Sequence, residues 1–234
     1  MKERTLAIIT ARGGSKRIPG KNIRDFCGKP IICYSIEAAK SSGAFDTVMV
    51  STDSEAIADI ARNAGAEVPF YRSAATAGDF SSTDDVIMEV LQTYRDRGEE
   101  FSAFCCIYPT APFLTGNRLK NAMELLREAD SVMPVTPFSY PPQRGLLISQ
   151  DGFVKRQFPE HALTRSQDLP MIYHDCGQFY ACRTDVFFRT KTTDVERLVP
   201  LFLTEMEVQD IDTPADWELA ELKYRYLHPT GGTQ

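Results

Sequence analysis

The chain has 234 residues, of which 43% are hydrophobic and 25% charged, and its net charge is −6 at pH 7. This composition is typical of a soluble protein with enough chain for one large α/β domain and its core, but too little for two full domains. The acidic balance disfavours nucleic acid and anionic membranes as main partners, because both require a broad basic surface.

The six cysteines stand singly or adjacent, without a C-x-x-C pair and without histidines at zinc spacing. Buried, reduced thiols in a cytoplasmic protein fit this pattern best. The residues Lys2, Glu3 and Arg4 are charged, and the apolar run after them is too short for a signal peptide or a membrane span. We therefore expect a cytoplasmic protein that binds no membrane.

The first predicted strand, 6–10, runs into a loop rich in glycine and cations, with the sequence LAIITARGGSKRIPGKN over 6–22. Such a loop delivers backbone N–H groups and positive charge to phosphates. It differs from a Walker A loop, because five residues separate Gly14 from Gly20 and Asn22 replaces the usual Ser or Thr. A basic surface loop is the alternative. The charge pattern disfavours that alternative, because six cations lie in this part of an acidic chain and Asp25 is the one acidic residue near them. The cations are Arg12, Lys16, Arg17, Lys21, Arg24 and Lys29.

Apolar periodicity predicts helices and strands in alternation along most of the chain. The predicted helices are 30–42, 55–64, 84–97, 117–129 and 214–226. The predicted strands are 6–10, 47–50, 67–71, 104–108, 131–135, 178–182 and 201–208. Because the strands are nearly all apolar, we expect one doubly wound, mostly parallel sheet that is covered on both faces. Ligands of such sheets bind at the carboxyl ends of the strands.

Regular alternation stops over 137–177, a segment rich in proline, glutamine and aromatic residues that we call the excursion. Asp151-Gly152 predicts a hairpin inside it, between 146–148 and 153–155. A segment of this length without its own core is usually a lid or an intersubunit element. We therefore predict that 1–234 form a single domain from which the excursion extends.

Asp210 and Asp212 flank Ile211 near the C-terminus. In an extended segment the two carboxylates share a face about 7 Å apart, with Ile211 turned to the core. Two like charges at this spacing favour a bound cation, and their hard oxygen ligands suit Mg²⁺. The alternative is an acidic loop that caps the last helix, which begins at Thr213-Pro214.

The order A-R-G-G-S-K-x-x-x-x-K-N after a first strand resembles the acylneuraminate cytidylyltransferase family, which activates sialic-type sugars as CMP conjugates. The resemblance covers about Leu6 to Tyr226. It implies the nucleotide-diphospho-sugar transferase fold, a Rossmann-like doubly wound sheet. It also implies CTP and a nonulosonic acid as substrates, Mg²⁺ or Mn²⁺ as cofactor, and a homodimer with the excursion at its interface.

The resemblance further implies that Arg12 and Lys21 hold the triphosphate, that both act in catalysis with Asp212, and that Asn22 hydrogen-bonds cytosine. An amide presents both a donor and an acceptor to a pyrimidine edge. The remaining residues implied in nucleotide binding are Gly13, Ser15, Arg72, Ser82, Thr83 and Thr110. Taken alone, Asn22 would be a turn residue, Arg72 a solvated surface charge, and Ser82-Thr83 a helix cap.

The resemblance also implies a set of residues that bind the sugar acid. They are Tyr108, Arg165, Gln167, Gln178 and Tyr180. Arg165 could pair bidentately with the carboxylate of the α-keto acid. In the turn Pro109-Thr110-Ala111-Pro112, Ala111 replaces the Ser that the family usually has, and Tyr108 replaces a common Gln. These departures and the segment YHDCGQFY resemble most the pseudaminic acid branch of the family.

The resulting hypothesis is attack by the anomeric hydroxyl of pseudaminic acid on the α-phosphorus of CTP, which gives CMP-pseudaminic acid and pyrophosphate. No side chain is a clear general base, and a metal-bound or Asp-assisted deprotonation is the working hypothesis. The alternatives are synthesis of CMP-N-acetylneuraminic or CMP-legionaminic acid, a D-x-D glycosyltransferase, and a nucleotide-sugar-binding module without turnover. The glycosyltransferase alternative is disfavoured because its D-x-D motif normally follows a middle strand, whereas Asp210 and Asp212 lie near the C-terminus.

Overall fold

A computed structural model describes residues 3–15, 17–78 and 81–229; Lys16 of the cation-rich loop lies outside these ranges. The strands within them are β1 (Thr5–Thr10), β2 (Asp25–Phe26), β3 (Lys29–Pro30), β4 (Thr47–Ser51), β5 (Ala103–Ile107), β6 (Ser131–Pro137), β7 (Leu146–Ile148), β8 (Val154–Arg156), β9 (Tyr173–Asp175), β10 (Phe179–Arg183) and β11 (Leu198–Phe202). The α-helices are α1 (Ile32–Ser41), α2 (Glu55–Asn63), α3 (Thr83–Asp96), α4 (Gly116–Leu125), α5 (Thr184–Thr190) and α6 (Pro214–Leu227).

Seven of the described strands form one sheet in the order β11-β6-β10-β5-β1-β4, with β9 paired to β6. The pairs β1–β4, β1–β5 and β6–β11 are parallel, whereas β10 runs antiparallel to both β5 and β6. The predicted doubly wound, mostly parallel sheet is confirmed. The antiparallel strand β10 in its centre was not predicted.

Side chains alternate along β1 and so divide the core between the two faces of the sheet. Ala7 and Ile9 belong to a cluster that includes residues of α1, α2 and α4. Leu6 and Ile8 belong to a second cluster, which includes residues of α3 and Phe187 of α5. Each face of the sheet is therefore covered by helices, as a parallel sheet requires.

A third apolar cluster lies beside the sheet and joins the loop after β1 to the C-terminal part of the chain. It includes Ile18 of the loop, Ile211 and Trp217 of α6, all of them buried. Fully burying side chains of this size contributes about 1.5–3 kcal/mol each. This packing holds the cation-rich loop next to the Asp210–Asp212 segment.

Serine and threonine caps set the starts of three helices. Ser82, Thr115 and Thr213 each accept a backbone N–H bond at the start of α3, α4 and α6. The start predicted for α1 is two residues early, because Pro30 pairs with Asp25 in the short β2–β3 ribbon.

Two predicted strands differ from the structure. Glu67 forms a single parallel bridge with Met49, and no strand covers 67–71. A continued ladder would require the N–H of residue 69, which Pro69 lacks. The strand predicted at 201–208 begins earlier, as β11, and the 3₁₀ turn Glu205–Glu207 follows it.

The excursion contains the predicted hairpin, with β7 and β8 paired and the second strand shifted by one residue. Its last residues form β9, which extends the sheet next to β6. Among the described helices, none combines the length and apolar character that crossing a membrane requires.

Candidate functional site

A cleft of about 450 Å³ lies at the carboxyl ends of β1 and β5, and we call it the β1–β5 cleft. It gathers eight residues that were implied in nucleotide binding and one implied on the sugar side. They are Arg12, Ser15, Lys21, Asn22, Arg72, Ser82, Thr83 and Thr110, and Tyr108. A larger cleft of about 590 Å³ opens beside Thr5 and Ala103 at the other end of these strands, and none of the predicted site residues lines it.

The loop after β1 is held by the end of β4. Ala11 N donates to Ser51 O at 3.0 Å, and Gly13 N donates to Asp53 Oδ1 at 2.8 Å. Within the loop, the buried Asn22 donates from Nδ2 to Arg12 O at 2.9 Å. The loop is thus pre-formed around Asn22. No role in the site was predicted for Asp53 from the sequence.

Lys21 and Arg17 connect the loop to the acidic pair. Lys21 Nζ donates to Ile211 O at 2.7 Å and lies 3.5 Å from Asp212 Oδ1. Arg17 Nη1 donates to Asp212 Oδ2 at 2.8 Å. Both cations also line the β1–β5 cleft, so Asp212 lies at its edge. Arg17 was noted in the sequence only as part of the cationic run.

Between Asp210 and Asp212, Ile211 is turned to the core as predicted, with 1% of its surface exposed. The surrounding protein atoms raise the pKa of Asp210 by desolvation, and the charge of Asp212 raises it further. Thr213 and Asp216 form the capping box of α6. The alternative that the pair itself caps this helix is therefore wrong.

Two carboxylates at the edge of a cationic cleft suit a hard divalent ion that takes its other ligands from water and phosphate. In the described ranges, no group of three or more His, Cys, Asp or Glu side chains could hold a metal by itself. A metal at Asp210 and Asp212 would therefore depend on ligands from a bound substrate.

Arg72 is buried, with 9% of its surface exposed, so its interpretation as a solvated surface charge is wrong. Its guanidinium donates from Nε to Ser51 Oγ at 3.1 Å and from Nη2 to Ser51 O at 2.8 Å. Burial lowers the pKa of Arg72, and the nearby Asp53 opposes this shift. These contacts fix a positive charge in the wall of the cleft.

The start of α3 also faces the cleft. Ser82 caps the helix in a box with Asp85, as the capping interpretation expected. Thr83 Oγ1 lies 3.2 Å from the hydroxyl of Tyr108. A helix N-terminus of this kind offers N–H groups and partial positive charge to an anion.

The residues implied on the sugar side separate into three groups. Tyr108 lines the cleft, and Tyr180 packs edge-on against its ring with centroids 5.7 Å apart. Gln178 is buried and donates to Glu207 O at 2.6 Å. Arg165 and Gln167 are exposed residues of the excursion that do not line the cleft, and Arg165 pairs with Asp168 at 2.9 Å.

The sheet and the cationic cleft together define a nucleotide-binding enzyme of the α/β class. Residues 6–220 match the family model described as cytidylyltransferase, and the chain belongs to this family of enzymes. A pseudaminic acid cytidylyltransferase of Campylobacter jejuni is 37% identical, and the match covers 96% of this chain and 98% of that protein. The CMP-N,N'-diacetyllegionaminic acid synthase of Legionella pneumophila is 36% identical over 93% of this chain and 95% of that protein.

A solved structure supports the fold assignment. It is a CMP:2-keto-3-deoxy-manno-octonic acid synthetase complexed with CTP, which superposes with a TM-score of 0.70 at 18% identity. The match covers 96% of this chain and all of that one.

Proposed function

We propose that this cytidylyltransferase transfers CMP from CTP to pseudaminic acid, with release of pyrophosphate. The observation that carries the proposal is the β1–β5 cleft, which brings Arg12, Lys21, Arg72 and the tyrosine Tyr108 together. Full-length similarity to a relative named for pseudaminic acid supports the choice of sugar acid.

In the proposed reaction, the anomeric hydroxyl of the sugar acid attacks the α-phosphorus of CTP. The bond from that phosphorus to the bridging oxygen breaks, and pyrophosphate leaves with the electron pair. Such transfers depend mainly on positioning and on neutralising negative charge. Arg12, Lys21 and Arg72 supply fixed positive charge for this, and the start of α3 adds N–H donors.

Asp210 and Asp212 would hold a Mg²⁺ or Mn²⁺ ion, which when bound would neutralise phosphate charge and polarise a phosphoryl oxygen. The metal would compete with Arg17 and Lys21 for the Asp212 carboxylate. Both cations also line the β1–β5 cleft, where they can pair with the triphosphate. For removal of the proton from the attacking hydroxyl, we propose a metal-bound or Asp-assisted deprotonation.

Pyrophosphate release with CTP and a panel of nonulosonic acids tests the function. We expect the highest kcat/KM with pseudaminic acid. A value at least as high with N-acetylneuraminic acid would refute the choice of sugar. Legionaminic acid is the second candidate, since a relative named for it is nearly as similar. CTP binding without pyrophosphate release from any acid would favour a non-catalytic binding module.

We further infer a cytoplasmic homodimer that forms through the excursion. Most apolar side chains of the excursion are exposed, which is unusual for a free surface. They include Tyr140, Leu146, Leu147, Ile148, Phe153, Val154, Leu163 and Met171. A second copy of the chain would cover this surface.

A further inference from the structure

Four side chains form a path of contacts from the end of the excursion to the first residue of α3. The Tyr180 hydroxyl donates to the Asp175 carboxylate. The rings of Tyr180 and Tyr108 meet edge-on, with centroids 5.7 Å apart. The Tyr108 hydroxyl in turn lies 3.2 Å from Thr83 Oγ1. The path therefore ends in the β1–β5 cleft, which Tyr108 and Thr83 both line.

Each carboxylate oxygen of Asp175 has its own partner. Oδ1 accepts from Gly177 N at 2.8 Å, and Oδ2 accepts from the Tyr180 hydroxyl. Because an ionised carboxylate only accepts, Tyr180 must be the donor and its proton points to Asp175. Burial raises the pKa of Tyr180, and the bond to Asp175 raises it further, so the phenol stays protonated at neutral pH.

Tyr108 depends on this arrangement for its position. Its backbone N–H donates to Gln178 O at 2.8 Å, and its carbonyl accepts from Ser35 Oγ at 2.7 Å. These bonds fix the backbone, but the ring is free to turn about χ1 unless its neighbours hold it. Tyr180 supplies that support on one side, and Asp175 holds Tyr180.

The cationic part of the cleft is held by different residues. Ser51 binds Arg72, and Asp53 binds the loop at Gly13. Neither contact involves Asp175. A change at Asp175 should therefore affect the side of the cleft formed by Tyr108 without disturbing the residues proposed for the triphosphate.

We propose that Asp175 is a positioning residue for the sugar acid, which fixes Tyr180 and through it the orientation of Tyr108 in the cleft wall. The proposal rests on the function proposed above, since it assigns the side of the β1–β5 cleft formed by Tyr108 to the acceptor sugar. It adds a residue that does not line the β1–β5 cleft and acts through two tyrosines.

Asp175→Asn tests the proposal at the level of single atoms. The asparagine Oδ1 can still accept from Gly177 N, so the turn is preserved, whereas its Nδ2 cannot accept from Tyr180 and can only donate to the Tyr180 oxygen. We expect KM for the sugar acid to rise roughly tenfold, the scale of exchanging a bond to a charged acceptor for a reversed bond between neutral groups. KM and Kd for CTP should change less, by no more than about twofold, because Thr83 is the one residue implied in nucleotide binding that this path contacts, through the Tyr108 hydroxyl.

Asp185→Asn is the matched control. Asp185 is also exposed, lies beyond the other end of β10, and pairs with Arg183 at 3.3 Å. It should leave both KM values unchanged. A parallel rise in both KM values for Asp175→Asn, accompanied by a lower Tm, would mean that Asp175 only stabilises the turn, and the proposal would be wrong.

Tyr180→Phe separates action through Tyr180 from a direct effect. In this background Asp175→Asn should add little to the sugar KM, because the two residues act as a unit. Additive effects would contradict the proposal.

A readout without turnover keeps this inference distinct from the proposed reaction. In the nucleotide-free protein with labelled tyrosines, the NMR ring signals of both Tyr180 and Tyr108 should shift in Asp175→Asn and stay in place in Asp185→Asn. An unmoved Tyr108 would overturn the positioning role, whichever sugar the enzyme uses. Absent turnover in the wild type with shifted Tyr108 signals would instead refute the proposed reaction alone.

Discussion

Lys21 Nζ lies 3.5 Å from Asp212 Oδ1, although the two residues come from opposite ends of the chain. Lys21 was implied as a triphosphate ligand and Asp212 as a metal ligand, and in the structure the two pair with each other. Arg17 completes this arrangement from the other side of the carboxylate. The pairing keeps the cations and the acid next to each other at the edge of the β1–β5 cleft.

Lys21→Ala should weaken CTP binding or slow turnover by about 10²-fold, the usual effect of losing one preorganised charged donor. Steady-state kinetics with varied CTP measures the effect. Lys29→Ala is the control, because Lys29 belongs to the same cationic stretch but pairs with Glu37 and does not line the cleft. Equal CTP kinetics in the two variants would contradict the role of Lys21.

Asp212→Asn should reduce turnover by about 10²-fold or more while the Tm changes little, because its proposed role lies in charge neutralisation. Asp216→Asn should lower the Tm and change turnover little, since Asp216 caps α6 and accepts from Thr213 N at 2.7 Å. A chelator should abolish activity, and Mg²⁺ or Mn²⁺ should restore it. Full activity without divalent metal would disprove the metal site.

Arg72→Met should lower CTP affinity by about 10²-fold with a change in Tm of only a few degrees without nucleotide. The methionine keeps an apolar stem in the wall and removes a buried charge, which costs free energy to bury. Ser51 O would still accept from Ala11 N, although Ser51 Oγ loses its partner. Calorimetry for CTP and thermal unfolding measure the two effects. A large fall in Tm would show that Arg72 is mainly structural.

Asp85→Asn should lower the Tm at neutral pH. The Ser82 backbone N–H and hydroxyl donate to Asp85 and lower the pKa of its carboxyl. A lowered pKa stabilises the fold above the unfolded pKa, about 3.9, and the contribution is lost as the pH falls through the folded value. The difference in Tm from wild type should therefore shrink below about pH 4. A constant difference between pH 7 and pH 3 would contradict this account.

Ile148→Asp should convert the proposed dimer to a monomer, because the charge would lie in an apolar interface. Ile148 is 70% exposed in the hairpin of the excursion. Leu222→Asp provides the control, since Leu222 is 63% exposed but lies on α6. Light scattering over a range of concentrations measures the mass. A wild-type protein that remains monomeric at all concentrations would rule out the dimer.

Five of the six described α-helices and most strands could be predicted because apolar spacing and local caps determine them. The short helix α5, which directly follows β10, was not predicted. Ser82 and Thr213, for example, mark the starts of α3 and α6 through contacts only three residues long. The prediction of a strand at 67–71 was wrong for an equally local reason, because Pro69 has no N–H to continue the ladder. The direction of β10 could not be predicted, since a buried apolar strand has the same sequence pattern in either direction.

The cleft was predictable to the extent that its residues lie in recognisable segments. The glycine-rich loop led to Arg12, Lys21 and Asn22, which the structure places together. Asp53 was missed because its contact to Gly13 joins residues 40 positions apart, which no local pattern indicates. Asp175 contacts Tyr180 only five positions away, but its link to the cleft runs through the packing of Tyr180 on Tyr108, which depends on the pairing of β10 with β5. The burial of Arg72 likewise depends on tertiary packing against Ser51.

The central strand β10 lies between β5 and β6, yet it follows the excursion in the chain. During translation, β4, β1 and β5 can pair early, whereas β5 and β6 have no direct pairing and must wait for β10. Open strand edges are templates for aggregation, and slow non-local pairing prolongs their exposure. We therefore expect a nascent chain stalled before residue 179 to require chaperone protection, and its release from the ribosome to yield insoluble protein.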